Sequence, residues 1–302
     1  MRAESTGNLD SMGITTLEGA ATDHCQSYQE RVPDQRLASV LSCVWTLKVS
    51  EEGPAYEHRA VPNGCIEIAC PLDSGVPRLV GPRRTVSVDS VHPGGTVIGV
   101  RFRPGISPAF FGTPATELVD ASVDLEVVWG PSALRLAGRL AGAASPREAA
   151  ALLEAEIARR WATLDPDPLV AEAVRRLQPW RSTSVVDAAN KLFISPRQLR
   201  RRFQAALGYG PKLLQRILRF QGFLAVTQEG ESKSFTISQL ASTAGYADQA
   251  HLSRDCVELA GLAPRAFLSD LRLTCGPTHD HTASFGPLRA SLLQTTTLPN
   301  GA

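Results

Sequence analysis

The last third of the chain contains a spaced internal repeat. A stretch that begins at Arg197 carries leucine, arginine, glycine and proline in an order that returns in a stretch beginning at Ala250, with a constant offset of 53 residues. A fixed offset over several positions indicates one small unit built twice. Each copy has the pattern of a short helix, a turn and a second polar helix, which is the outline of a DNA-reading helix-turn-helix. The matched pairs are Leu199 and Leu252, Arg201 and Arg254, Gly208 and Gly261, and Pro211 and Pro264.

Charge is divided unevenly along the 302 residues. The net charge is only +1, but residues 168–273 hold 15 Lys and Arg against 8 Asp and Glu, so that 16 basic and 22 acidic residues remain elsewhere. A basic module on an acidic body is the electrostatic pattern of a nucleic-acid binder that also senses something else.

Turn residues and β-branched runs indicate how the chain is divided. Short strands are predicted from Leu37 to about Pro104, as in a small sandwich or barrel. A capping box at Ser145 opens a helical region, and the proline-bearing segment 165–168 forms the best domain boundary. The predicted domains are a flexible leader (1–24), a sensor or dimerisation domain (25–164), a linker with the first helix of the DNA-binding module (165–183), a double helix-turn-helix (184–273) and a flexible tail (274–302).

The first predicted recognition helix runs from Pro196 to about Ala206. Leu199 and Phe203 stand four residues apart, so they share the face that packs inward. Three arginines lie off that stripe, and the planar fork of a guanidinium suits both guanine edges and phosphates. The candidate DNA contacts here are Arg197, Arg200 and Arg201; the alternative is a solvated basic face.

The second copy is less basic. Leu252 and Cys256 take the inward places, which leaves hydrogen-bonding side chains on the outer face that suit base edges or phosphates. For His251 a local capping role is the alternative. The outward residues are Gln249, His251, Ser253 and Arg254.

Residues Ser184 to Leu268 resemble the DNA-binding module of the AraC/XylS family of bacterial transcriptional regulators. The marks are the Ala189 to Leu199 core pattern, Gly208-x-x-Pro211, Ala241-x-x-x-Gly245-Tyr246, His251-Leu252-Ser253-Arg254 and Gly261-x-x-Pro264. The resemblance implies seven helices, with two helix-turn-helix units joined by a long helix. It implies contact positions at Arg197, Arg200 and Arg201 in the first unit, and at Gln249, Ala250, His251, Ser253 and Arg254 in the second. The implied partners are double-stranded DNA, a small effector, a second copy of the chain and RNA polymerase.

Three positions depart from the family pattern. Cys256 stands where an aromatic residue is usual, and Asp255 is expected to place a negative charge near the contact face. Gly222 stands in the long helix near a usual alanine, where it is expected to cost ~1 kcal/mol of helix stability.

The N-terminal half resembles the sensor domains of an actinobacterial-type branch of this family through Val61-Pro62-Asn63-Gly64-Cys65 and Gly99-Val100-Arg101-Phe102-Arg103-Pro104-Gly105. That resemblance implies a cupin-like β-barrel with appended helices, and hence an α+β multidomain chain with an all-α C-terminal domain. For an effector site the speculative candidates are Arg101 and Arg103, which alternate along one strand, and Trp45. An outward polar face for the arginines and core packing for Trp45 and Trp129 are the alternatives.

No metal or cofactor is assigned from the sequence. His58 and His92 are isolated, the six cysteines contain no Cys-x-x-Cys pair, and a zinc site from Cys25, Cys43, Cys65 and Cys70 has no paired ligand spacing to support it. The run His279-Asp280-His281 has residue types that bind metals, but a solvated tail is the favoured interpretation because no further ligand lies nearby in sequence.

The sequence therefore favours a cytoplasmic, non-enzymatic DNA-binding regulator that responds to an effector. Residues 1–23 contain Glu4, Asp10 and Glu18 and lack the apolar core of a secretory signal. Two alternatives remain. In the first, an enzyme domain is fused to the DNA-binding module, either a cysteine-based alkyl acceptor that uses Cys65 or Cys70 or a metal-binding enzyme. In the second, the protein is a regulator whose N-terminal half only dimerises.

Overall fold

The computed structural model describes residues 26–162, 164, 166–181, 183–228, 235–275 and 278–297. The predicted leader lies outside these ranges. The strands are β1 (Gln26–Arg31), β2 (Leu41–Val49), β3 (Tyr56–Ala60), β4 (Glu67–Pro71), β5 (Arg78–Val80), β6 (Ser87–Val91), β7 (Thr96–Phe102), β8 (Ser122–Asp124) and β9 (His279–Asp280). The helices are α1 (Ser107–Phe111), α2 (Leu125–Trp129), α3 (Pro131–Ala141), α4 (Pro146–Trp161), α5 (Pro168–Arg176), α6 (Val185–Lys191), α7 (Pro196–Leu207), α8 (Pro211–Thr227), α9 (Ile237–Thr243), α10 (Gln249–Ala260), α11 (Pro264–Thr274) and α12 (Thr282–Thr297).

The N-terminal strands form a seven-stranded sheet in the order β8-β5-β4-β7-β2-β1-β9 and a separate two-stranded ribbon of β3 and β6. Neighbouring strands are antiparallel except for β1 and β9, which are parallel. The predicted α+β class is confirmed. The implied barrel is not closed, since the described ladder ends at β8 on one side and β9 on the other.

Helix ends follow the capping residues closely. The Ser145 side chain accepts a hydrogen bond from the Glu148 amide at the start of α4, and Ser195 and Gln198 form a reciprocal capping box at α7. Thr236 and Gln239 form the same box at α9. The predicted bounds of α8, Pro211 to about Thr227, are confirmed.

Two large apolar cores fill the molecule. One lies between the sheet and α3 and α4, and the other lies within helices α5 to α11. Helix α12, in the segment expected to be loosely ordered, packs along α8 and adds Leu292 to the second core. Within the described ranges, no helix combines the length and apolarity needed to cross a membrane.

The sheet and the helical module pack on each other at several points. Gln221 on α8 donates a hydrogen bond to the Pro62 carbonyl over 2.7 Å, and Arg59 on β3 pairs with Asp270 on α11 at 2.8 Å. Strand β9, which follows α11 in the chain, pairs with β1. The chain thus crosses back to the N-terminal sheet after completing the helical module.

Candidate DNA-binding interface and adjoining cavity

The first helix-turn-helix consists of α6 and α7. Leu199 and Phe203 are fully buried, as their spacing predicted. Arg197, Arg200 and Arg201 are exposed on the opposite face, and no ion pair recorded among the described residues involves them. Their neighbour Arg202 instead pairs with Asp167 ahead of α5. Three uncompensated guanidinium groups on one helix face are suited to bind a DNA groove.

The second unit consists of α9 and α10. Leu252 and Cys256 are fully buried, so the small thiol does fill the place of the usual aromatic residue. Gln249, Ala250 and Arg254 are exposed, and His251 and Ser253 are half-buried. The structure therefore places all the predicted contact positions on or beside the outer face of α10.

Asp255 does not lie on that face. Its side chain is buried, and it accepts a hydrogen bond from Nε of Arg216 on α8 over 2.9 Å. Arg216 also binds Glu258 through two nitrogens, and these hydrogen bonds, to Glu258 first and then to Asp255, raise the pKa of Arg216 despite partial burial. The expectation that Asp255 places a negative charge near the contact face is therefore wrong, because its side chain points inward and pairs with Arg216.

His251 has a more specific environment than the sequence indicated. Its Nε2 atom lies 3.2 Å from a guanidinium nitrogen of Arg219 on α8, and its ring stands edge-on to Tyr246 at 5.1 Å. The Arg219 guanidinium carbon also lies 5.4 Å from the centre of the Tyr246 ring. Arg219 is thus a cation beside the second reading helix that sequence reasoning missed. The sequence signal that could have found it is its spacing, since Arg219 follows Arg216 by three residues and so lies on the same face of α8.

Gly222 has a packing role in α8. A Cβ atom at this position would lie 3.1 Å from Leu292 of α12 and 3.5 Å from Pro179. The absence of a side chain thus allows α12 to approach the long helix closely. The cost in helix propensity is offset by this contact, which was invisible from the sequence of α8 alone.

A cavity of about 1500 Å³ adjoins the DNA-binding module. One wall comes from the N-terminal sheet and includes Trp45 and Ala69. The other comes from the helical module and includes Leu224 on α8, Leu240 on α9 and Leu271 on α11. Small-molecule pockets usually occupy ~300–1,000 Å³ and are mostly apolar, so this space accommodates a small ligand with solvent.

The three speculative effector residues lie in different settings. Trp45 lines the cavity, stacked on Tyr28 with ring centres 6.1 Å apart, whereas Trp129 packs in the core under Arg160. Arg101 also lines the cavity, but Arg103 lies past the end of β7 and donates to the Ala38 carbonyl. The two arginines are therefore not brought together.

Arg101 is also neutralised by carboxylates from neighbouring strands. It binds Glu30 at 3.0 Å and Glu67 at 2.9 Å, and Glu67 lies directly opposite it on β4. Burial opposes the ionisation of Glu30, yet the nearby His281 ring, the charge of Arg101 and a hydrogen bond from the Ser284 amide hold its pKa well below the usual range. This wall of the cavity therefore presents a closed charge network rather than an unmatched cation.

The cysteines that would serve an alkyl acceptor are buried. Burial raises the pKa of both Cys65 and Cys70 to about 12, so the thiols stay protonated at neutral pH. An activated nucleophile needs a thiolate. Cys25, the fourth member of the weighed zinc set, lies outside the described residues.

Two known families match separate parts of the chain. A family described as a helix-turn-helix domain matches residues 188–270. A family described as a domain of unknown function, DUF6597, matches residues 29–124.

Two curated relatives are the HTH-type transcriptional regulators VirS of Mycobacterium tuberculosis strains H37Rv and CDC 1551. Each is 34% identical over 136 residues, which cover 44% of this chain and 38% of the relative. The chain thus spans about two-fifths of the length of the curated relatives it matches.

Solved structures of ToxT from Vibrio cholerae are also similar. ToxT of strain O395 covers 83% of this chain and 99% of its own length, at 13% identity and a TM-score of 0.41. Wild-type ToxT of strain SCE256 with bound unsaturated fatty acid covers 80% and 94%, at 12% identity and a TM-score of 0.39.

The sequence motifs, the two packed helix pairs and the matched family agree on the C-terminal part of the molecule. The chain therefore carries an AraC-type helix-turn-helix domain at its C-terminal end, behind an N-terminal DUF6597 domain.

Proposed function

We propose that this protein is a sequence-specific transcriptional regulator whose DNA affinity depends on a small effector. The proposal keeps the predicted division into a sensor (25–164) and a DNA-binding domain (184–273). It assigns DNA contacts to the exposed arginines of α7 and to the outer face of α10. The observation that carries it is the shared cavity, because its walls come from both the sheet and the helices that hold the reading units.

The DNA half of the proposal predicts a bipartite operator. Helix α8 has 17 residues and so spans ~25 Å. With a packed helix pair at each end, the two reading helices fit successive major grooves ~34 Å apart on one face of DNA. We expect two short base blocks centred ~10 base pairs apart, which footprinting of the full chain on genomic fragments measures.

A matched pair of arginine variants tests the contact face. Arg200→Ala should weaken specific binding by ~1–3 kcal/mol and relax sequence preference in one block only. Arg175→Ala is the control, since Arg175 lies on α5 of the same module and is paired with Glu172. Equal losses from both variants, or loss across both blocks from Arg200→Ala, would contradict the assigned contacts.

The effector half of the proposal is tested by ligand binding to the cavity and by a variant that fills part of it. The cavity is lined by apolar side chains, such as Trp45 and Leu224, together with polar ones, such as Gln221 and Arg272, so we expect an amphipathic small molecule with a polar group. A ligand at ~100 times its Kd should raise stability by ~2.7 kcal/mol in a thermal-shift screen. Ala69→Phe, which fills space on the sheet wall, should abolish that shift while leaving effector-independent DNA binding intact. Loss of DNA binding in this variant would refute the separation of roles.

Three further elements belong to the same proposal. Action on chromosomal DNA implies a cytoplasmic location. Val127 and Leu134, exposed on the adjoining helices α2 and α3, support a homodimer contact there, which sedimentation of Val127→Glu against the parent chain tests. Contact with RNA polymerase would be seen as activation of transcription in a purified system, and the protein itself is assigned no catalytic role.

A further inference from the structure

Three soft or borderline metal-binding side chains meet where the helical module returns to the N-terminal sheet. One donor atom from each of Cys275, His279 and His281 lies within 4.8 Å of the other two. The sequence favoured a solvated tail for the two histidines. The structure instead brings a thiol to them from the end of α11.

Each of the three residues is held by a different element. Cys275 caps α11, with its amide bonded to the Leu271 carbonyl. His279 lies on β9, opposite Tyr28 of β1. His281 immediately precedes α12, and its carbonyl accepts a hydrogen bond from the Phe285 amide. The cluster is therefore built from three anchored backbone positions rather than from one mobile loop.

The donor set selects a class of ion. Thiolate and imidazole together suit Zn²⁺ and its neighbours, whereas Mg²⁺ and Ca²⁺ prefer oxygen. In a tetrahedral zinc site the donors lie about 3.3–3.5 Å apart, from bond lengths of ~2.3 Å to sulfur and ~2.0 Å to nitrogen. The donor atoms of this cluster lie within 4.8 Å of one another, so a bound ion would draw them closer together. We propose that Cys275, His279 and His281 bind a divalent ion of the zinc class, with a fourth coordination position directed to the cavity.

Buried groups around the cluster support this assignment. Glu30, whose side chain is fully buried, has a carboxylate oxygen 3.8 Å from Nδ1 of His281. A carboxylate behind a ligating imidazole fixes the ring and raises its basicity. The Tyr28 ring stacks on His281 at 4.7 Å and limits its rotation. All three donor residues line the cavity, so a coordinated ion would present its open position to that space.

The site also connects the two parts of the molecule. Next to Cys275, the Thr274 carbonyl accepts a hydrogen bond from Gln26 of β1 over 2.9 Å. An ion held by Cys275 and the histidines would fasten the end of α11 to the same sheet edge. Metal binding itself does not depend on the proposed regulatory function; only its effect on DNA affinity does.

The test uses the full chain after removal of metal by a chelator. Titration with Co²⁺ should saturate at one ion per chain and produce the ligand-field bands of a tetrahedral site with a thiolate-to-cobalt charge-transfer band, and Zn²⁺ should displace it. Cys275→Ser should lose the charge-transfer band, and His281→Gln should weaken binding by at least tenfold. Two variants serve as controls. Asp280→Asn changes a residue between the two histidines, and His92→Gln removes an exposed imidazole that pairs with Asp73. Both variants should bind Co²⁺ as the parent chain does.

A second measurement avoids variants. Alkylation of the native chain, located by peptide mass spectrometry, should modify half-buried Cys275 measurably more slowly with Zn²⁺ than without metal. Failure of the parent chain to bind Co²⁺, persistence of the thiolate band in Cys275→Ser, or loss of binding in the controls would overturn the site. DNA binding is measured separately with and without Zn²⁺, so a metal site with no effect on DNA remains distinguishable from the absence of a site.

Discussion

Gly208 and Gly261 end the reading helices α7 and α10 in the same conformation but in different surroundings. Both cap their helix with a left-handed backbone, at φ of 80° and 74°. A Cβ atom on Gly261 would meet only Val86, at 3.5 Å, which is ordinary contact. A Cβ atom on Gly208 would overlap Val119 and lie 2.8 Å from the Ala115 carbonyl oxygen. Gly261→Ala is therefore a matched control for Gly208→Ala, because it shares the backbone conformation and lacks the close packing.

The expected costs follow from these two settings. An alanine in the left-handed region costs ~1–2 kcal/mol, which both variants share. Overpacking adds ~1–3 kcal/mol at Gly208 alone, because the nearby carbonyl is backbone and cannot rotate away. We therefore expect Gly261→Ala to lower the free energy of unfolding by ~1–2 kcal/mol and Gly208→Ala by ~2–5 kcal/mol.

Urea unfolding of the full chain, followed by circular dichroism and tryptophan fluorescence, measures the difference. Adding Val119→Ala to Gly208→Ala should recover part of the excess, and the double-mutant cycle isolates that coupling. The same addition to Gly261→Ala should couple by less than ~0.5 kcal/mol. Equal costs for the two glycine variants would refute the packing of the end of α7 against the Ala115–Glu117 turn.

Three further predictions concern single residues. Phe193 is 96% exposed and has a φ of 55° in the turn of the first unit. Phe193→Gly should therefore raise the free energy of unfolding by up to about 1 kcal/mol in the same urea assay. A simultaneous loss of transcriptional activation would identify the ring as a contact for a partner. Asp255→Ala should cost ~1–3 kcal/mol because it removes a buried acceptor from Arg216, and Asp255→Asn should cost less; equal costs would show that the hydrogen bond is unimportant. Cys65 and Cys70 should resist iodoacetamide at pH 8 until the chain unfolds, because burial holds each pKa near 12; rapid native modification of either would revive the alkyl-acceptor alternative.

Local signals predicted the helical module well. Ser195, Pro196 and Gly208 fixed the two ends of α7 nearly to the residue, and proline at the first helical position fixed the start of α8. The Leu199 and Phe203 spacing then determined which side of α7 carries the arginines. These features depend on residues within one or two turns of each other, which is the range over which a sequence pattern acts.

Long-range pairing was beyond those signals. The strand pattern left Arg101 as either an effector ligand or part of an outward polar face. Its partners Glu30 and Glu67 come from β1 and β4, and only the sheet register brings them together. Asp255 looked like a surface charge because its partner Arg216 is 39 residues away on another helix. In both cases the sequence identified a charged side chain, but it did not reveal the oppositely charged partner on another strand or helix.

In the proposed regulator, helix α8 is the element through which an effector would reach the DNA-binding units. Gln221 binds α8 to the N-terminal loop at Pro62, and Arg216 binds it to α10 through Asp255. Leu224, one turn further on, lines the cavity. A ligand shifts a conformational equilibrium only by its difference in affinity for the two states. A ligand that contacts both the sheet and α8 has different affinities for the two states whenever the helix-turn-helix units move relative to the sheet. The usual coupling free energy between two binding sites, ~1–3 kcal/mol, corresponds to a 5–150-fold change in DNA affinity.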